Sequence, residues 1–81
     1  LFRFFPARKV DFWMKNTLIP LDMLFIRNGQ IVHIVENAPP CDKDPCPTYP
    51  SLLEVDAVVE LAGGTVKQYG IHEGELITLL P

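Results

Sequence analysis

Short apolar runs separated by turn-forming residues make up most of this chain. Val, Ile, Phe and Leu dominate runs of roughly five to seven residues that are bounded by Gly, Pro, Asn and Asp, a pattern typical of short β-strands. The pattern predicts six strands, near residues 1–5, 10–15, 21–27, 30–36, 57–61 and 76–80.

Asn28 and Gly29 separate two of these apolar runs. A type I′ turn needs positive φ at both central residues, which Asn and Gly tolerate best, so the pair predicts a tight hairpin. Both faces of this hairpin are largely apolar, which favours a position between two packed layers. The two-residue loop predicts that Arg27 faces Gln30, Phe25 faces Val32, Leu24 faces His33, Met23 faces Ile34 and Asp22 faces Val35.

Residues 37–50 contain five of the eight prolines and are predicted to form a loop. Further along, Thr65 suits a helix N-cap and Gly70 a left-handed residue after the helix, so one short helix is expected between them. The fold class is therefore β-rich α+β: a small barrel or sandwich of five to six mainly antiparallel strands with one short helix.

Length and composition predict a single globular domain over residues 1–81, with 48% apolar and 21% charged residues. No apolar run approaches a membrane-spanning helix, and a net charge of −3 with scattered basic residues disfavours nucleic acid as a partner. The chain starts at Leu1 inside an apolar run, without an initiator Met or targeting segment, so we expect N-terminal residues of the complete domain to be missing.

Trp13, Lys15 and Asn16 are the first candidate site residues. Strand alternation places Asp11, Trp13 and Lys15 on the wetter face, where an aromatic ring beside charged groups could bind a sugar or another flat ligand. The alternative is that Trp13 covers the core and Lys15 extends beside it. No complete metal or cofactor motif accompanies them, so we expect neither a metal nor a cofactor.

Asp22 is the fourth candidate, and the predicted register places it near His33 on one face of the hairpin. A carboxylate that orients an imidazole is half of an acid–base device. The nucleophile is missing, because nothing marks Ser51, the only serine, as activated. Asp22 could equally accept backbone hydrogen bonds from the Asn16–Thr17 turn.

Cys41 and Cys46 bracket four residues and are most simply interpreted as a disulfide, which implies an oxidising compartment. The alternatives are a metal site completed by Asp42 or Asp44, and a redox-active pair. Zinc sites usually show closer cysteine pairs and four ligands, and no helix start lies here to activate a thiol.

The runs FWMKNTLIPLDMLFI, NGQIVHIVENAPP and VVELAGGTVKQYGIHEGELI together resemble the uncharacterised family known as domain of unknown function 192 (DUF 192). The resemblance covers residues 10–80 and implies a small exported or membrane-tethered domain with further strand and helix at its N-terminus. The cysteine loop departs from the family's general pattern. The motif positions it matches are Trp13, Met14, Lys15, Asn16, Thr17, Pro20, Asp22 and the Gly64–Thr65 helix start.

The resemblance supplies no activity, so three hypotheses follow from the residues. The first is an exported accessory or binding module that takes a small polar ligand, such as a saccharide, at Trp13, Lys15, Asn16 and Asp22 gathered around one hollow. The second is a hydrolase using Asp22 with His33 or Lys15. The third is an interaction domain that forms homo-oligomers through exposed strand edges.

Overall fold

The computed structural model describes residues 1–79. The strands form two antiparallel sheets, one with the order β1-β6-β3-β4 and one that pairs β2 with β5. The elements are β1 (Phe2–Arg8), β2 (Asp11–Trp13), β3 (Leu21–Arg27), β4 (Gln30–Ala38), β5 (Thr48–Pro50), β6 (Val55–Ala62) and helix α1 (Thr65–Tyr69).

This architecture confirms a β-rich α+β fold with one short helix, and the larger sheet is not closed into a barrel. Two strand predictions were wrong. Thr48–Pro50 forms a strand inside the expected loop, where it pairs with β2 through backbone groups that proline leaves intact. The strand expected over residues 76–80 is reduced to one bridge between Gln30 and Leu76, and its last residue lies outside the described part of the chain.

The β3–β4 hairpin forms at the expected turn, with φ of 50° at Asn28 and 74° at Gly29. Arg27 pairs with Gln30 as predicted, but the rest of the predicted register was wrong. A bulge at Val32 adds one residue to β4, so Phe25 pairs with His33. Beyond the bulge, Leu24 pairs with Ile34 and Met23 with Val35. A second shift between Met23 and Leu21 then pairs Leu21 with Ala38.

Strand β3 is buried on both faces, as its apolar pattern predicted. Its neighbours β4 and β6 flank it, and a separate apolar cluster lies against each face. Met23 and Phe25 belong to the cluster that includes Met14 from the segment after β2. Leu24 and Ile26 belong to the cluster that includes Val66 of α1. The two sets alternate along β3, so neighbouring residues enter different layers.

Helix α1 was correctly predicted, and Gly70 ends it in the left-handed conformation with φ of 62°. The predicted N-cap was wrong. The N-cap residue is Gly64, with φ of 92° and no capping side chain of its own, while the Thr65 hydroxyl donates to the carbonyl of Ala62. The helix start must therefore find its acceptor elsewhere in the chain. With five residues, α1 is far too short to cross a membrane, and the described residues contain no helix that could.

Candidate functional site

Trp13 lies on the outer face of the small β2–β5 sheet. In this sheet Phe12 pairs with Tyr49 and both turn toward the core, whereas Trp13 pairs with Thr48 on the opposite side. Trp13 as a residue is 54% exposed, so the interpretation that Trp13 only covers the core was wrong. The strand alternation was confirmed, because Phe12 and Met14 pack inward. The outer face thus presents a large aromatic ring beside a threonine.

Backbone hydrogen bonds join the turn after β2 to the loop that contains the cysteines. Thr17 donates both its N–H and its hydroxyl to the carbonyl of Met14. Asn16, at a φ of 64°, donates its N–H to Cys41, and Cys41 donates its own N–H to Met14. This backbone pairing places the exposed Asn16 and the partly buried Lys15 directly beside Cys41.

Cys41 and Cys46 form the predicted disulfide. The chain between them is exposed and carries Asp44, whose carboxylate oxygens lie 2.6 and 2.8 Å from the Lys15 ammonium. The same ammonium lies 5.5 Å from the centroid of the Trp13 ring, within the range of a cation–π contact. Trp13, Lys15 and Asp44 therefore form one group at the surface, the Trp13 cluster, next to the disulfide.

The disulfide constrains this loop more strongly than the ion pair does. An exposed ion pair contributes up to about 1 kcal/mol, while fixing the backbone of a single residue costs about 1–2 kcal/mol. Residues 42–45 are all exposed and have no core contacts to offset that cost. Closing so short a loop contributes about 2 kcal/mol by removing freedom from the unfolded chain. The covalent link thus favours the Lys15–Asp44 contact by limiting the conformations that are open to the loop.

Asp22 does not belong to the Trp13 cluster. Its side chain is fully buried on the α1 side of the larger sheet. One carboxylate oxygen accepts the N–H groups of Asn37 and Gly64 at 2.8 and 3.2 Å, and the other accepts the N–H of Val66 at 2.8 Å. The prediction that Asp22 shares one hollow with Trp13, Lys15 and Asn16 was therefore wrong. A structural role was correctly foreseen, but the donors are not those of the Asn16–Thr17 turn.

The hydrogen bonds around Asp22 decide its ionisation. Burial, the largest single influence, raises the pKa of this carboxyl, because a charge loses hydration in the interior. The backbone N–H groups of residues 37 and 64–66 oppose it and together hold the pKa below its ordinary value. Asp22 is thus an anion that caps α1 and joins it to β4.

The acid–base pair expected of a hydrolase is not formed. Asp22 shares the α1 side of β3 with Leu24 and Ile26, whereas His33 pairs with Phe25 on the other side, with ring centroids 5.4 Å apart. Lys15 is no substitute partner, because its ammonium contacts Asp44.

Ser51 supplies no nucleophile to such a site. It is fully buried, its hydroxyl donates to Leu53, and its oxygen accepts the N–H of Val10. Both hydrogen bonds support the chain between β5 and β6, which gives this serine a structural explanation. Within residues 1–79, no group of three or more His, Cys, Asp or Glu side chains could hold a metal ion.

A cavity of about 490 Å³ lies away from the Trp13 cluster. It opens between β1, the hairpin turn and the segment after α1, and Phe4, Phe5 and Ile26 form much of its wall. None of the four candidate site residues lines it. The exposed candidate side chains predicted from the sequence thus lie outside this cavity.

Sequence reasoning did not place Asp44 or Thr48 on this face. Asp44 lies 29 residues after Lys15, and only the folded path of the disulfide loop brings the two together. Thr48 went unnoticed because its strand was taken for loop. A usable signal did exist, since a short disulfide loop with acidic residues near a strand that carries a lysine offers a charge partner.

The DUF192 family model, described as "Uncharacterized ACR", matches residues 1–79. The chain therefore belongs to this family, as the sequence motifs had indicated. The motif positions include both exposed and buried residues, since Trp13 is at the surface and Asp22 is in the interior.

Two solved structures are similar to this chain. One is a "putative transcription regulator" from Sinorhizobium meliloti 1021, at 44% identity and a TM-score of 0.83, covering 91% of this chain and 56% of that one. The other is a protein of unknown function from Novosphingobium aromaticivorans DSM 12444, at 33% identity and a TM-score of 0.82, covering 91% and 51%. The chain thus spans about half the length of either protein. No curated protein matches it.

Proposed function

We propose that this protein is an exported accessory module that binds a small polar ligand, best a saccharide, on the face of the Trp13 cluster. The observation that carries the proposal is the exposed indole of Trp13 on a paired strand, with the Lys15 ammonium and the Asp44 carboxylate beside it. A large aromatic surface left in water gains free energy when a ligand covers it.

The chemistry around the ring suits a sugar. A pyranose presents a face of C–H groups, which stacks on an aromatic ring, and a rim of hydroxyls, which needs donors and acceptors. Thr48 lies directly opposite Trp13, and Asp11 lies two residues along the same face of β2. The hydroxyl of Thr48 and the carboxylates of Asp11 and Asp44 are suitable partners for that rim.

The disulfide supports export, because such bonds persist in oxidising compartments outside the cytosol. The S. meliloti protein is described as a transcription regulator, but the charge of this chain does not favour binding to DNA. A net charge of −3 repels the phosphate backbone that supplies most of the affinity of DNA-binding proteins.

An array of neutral oligosaccharides, followed by NMR titration of the binding ones, tests the proposal. We expect chemical shift changes at the Trp13 indole, Thr48 and Asn16. Trp13→Ala should weaken binding about five- to tenfold, given the usual contribution of aromatic stacking.

Tyr69→Ala is the matched control, since Tyr69 is an exposed aromatic residue on α1. This variant should bind as the wild type does. Binding that survives Trp13→Ala, or shifts confined to another surface, would refute the proposed site.

A further inference from the structure

Both ends of the disulfide loop are anchored to the segment that carries Trp13 and Lys15. Cys41 exchanges backbone hydrogen bonds with Met14 and Asn16, on either side of Lys15. At the other end, Thr48 pairs with Trp13. The loop therefore spans the candidate binding face, and its middle is held by the bond between the two sulfur atoms and by the exposed ion pair between Asp44 and Lys15.

The charge presented to a ligand depends on this loop. While the disulfide is intact, Asp44 neutralises Lys15, so the Trp13 face offers an ammonium that already has a carboxylate partner. When the disulfide is opened, the exposed residues 42–45 regain their freedom, and the ion pair is too weak to order them alone. Lys15 keeps its backbone position, because the hydrogen bonds at Cys41 do not involve sulfur.

We propose that the Cys41–Cys46 disulfide is a redox control on the ligand preference of the Trp13 face. The oxidised protein takes neutral saccharides, and the reduced protein gains affinity for acidic ones, whose carboxylates bind the released ammonium of Lys15. This inference rests on the proposed saccharide function. The reductant is a dithiol, which transfers two electrons and two protons to the disulfide, leaving two cysteine thiols and its own disulfide.

The first part of the test needs no ligand. The Trp13 indole resonances are compared in the oxidised protein, in the protein reduced with dithiothreitol, and in Asp44→Asn with its disulfide intact. We expect reduction and Asp44→Asn to shift the indole in the same direction, and reduction of Asp44→Asn to add little. Identical indole resonances in the oxidised and reduced wild type would overturn the proposal.

The second part compares an oligosaccharide of glucose units with the matched one in which each C6 carbon is a carboxylate. Reduction should raise affinity for the acidic ligand about three- to fivefold, as expected for a released surface charge, and leave the neutral ligand nearly unchanged. Oxidised Asp44→Asn and the Cys41→Ser/Cys46→Ser variant should reproduce the gain, and Lys15→Met should abolish it.

The two proposals fail in different ways. If neither oligosaccharide binds in either redox state while the indole still responds to reduction, the saccharide function is wrong and the coupling of the loop to Trp13 stands. If both ligands bind at Trp13 with the same preference before and after reduction, the redox control is wrong and the binding function stands.

Discussion

Asp22 joins three parts of the chain that are far apart in sequence. It lies on β3, receives an N–H from Asn37 on β4, and receives two more from the start of α1. An aspartate among apolar neighbours would be costly without these donors, because a buried charge needs hydrogen bonds to replace its hydration. Its place in the family motif is explained by this structural role, with no need for catalysis.

Replacing Asp22 with Asn should lower the free energy of unfolding by about 2–4 kcal/mol. The amide keeps one acceptor but turns an NH₂ group toward backbone N–H donors. Urea unfolding followed by circular dichroism measures the loss. Asp56→Asn is the control, since Asp56 accepts one exposed hydrogen bond from Asn28 and should cost less than about 1 kcal/mol. Equal losses in the two variants would contradict the role given to Asp22.

The lowered pKa of Asp22 predicts how stability depends on pH. A carboxyl with a depressed pKa in the folded state contributes its full stabilisation above the ordinary aspartate pKa of about 3.9. That contribution is lost as the pH falls through the folded value. The gap in unfolding free energy between wild type and Asp22→Asn should therefore narrow below about pH 4. A gap that stays constant from pH 7 to pH 3 would exclude this linkage.

The turns of this fold could be predicted from the sequence, whereas the pairing of β3 with β4 could be predicted only in part. Turn chemistry at Asn28–Gly29 and the end of α1 at Gly70 were predictable, because few residues tolerate positive φ. The register beyond the bulge at Val32 was not, because a strand that is apolar on both faces gains similar burial in either register.

The candidate site was predictable to the same limited degree. The alternation of side chains along β2 correctly predicted that Trp13 is exposed, because which face a residue takes within one strand depends only on its neighbours in sequence. The same alternation could not predict on which side of the larger sheet Asp22 would lie, because that depends on how β3 packs between its neighbours. The sequence also could not predict that Asp44 is the partner of Lys15, because Asp44 lies in a loop without regular structure.

Gly63 lies where the ends of β3, β4 and β6 meet. The atoms around it leave little room for a side chain, so a substitution there should reduce stability. A Cβ there would come within 2.6 Å of the Asn37 side-chain oxygen and 3.0 Å of Pro20 Cβ. Gly63→Ala should therefore destabilise the fold by about 1–3 kcal/mol. Asn37→Gly removes the nearest atom, keeps the N–H that binds Asp22 and suits the φ of 52° at that position. Adding it to Gly63→Ala should recover part of the loss in urea unfolding, and no recovery would contradict the predicted clash.

For the molecule as a whole, the disulfide supplements a small core. A domain of this size buries only about 60% of the surface of its unfolded chain and has little stability to spare. Reduction of the wild type, or the Cys41→Ser/Cys46→Ser change, should lower the free energy of unfolding by about 2 kcal/mol. Urea unfolding with and without dithiothreitol measures this, and the double variant should be indifferent to the reductant. A wild type that is equally indifferent would show that the loop adds nothing to global stability.

The remote cap on α1 also constrains the order in which the protein assembles. A helix of five residues does not persist alone in water, since its nucleation is unfavourable and few of its hydrogen bonds are internal. Its first N–H groups find their anion only after β3 has brought Asp22 to that place. We therefore expect the helix to form late in folding. During synthesis, α1 would become helical only after the β3–β4 hairpin had formed and brought Asp22 into place.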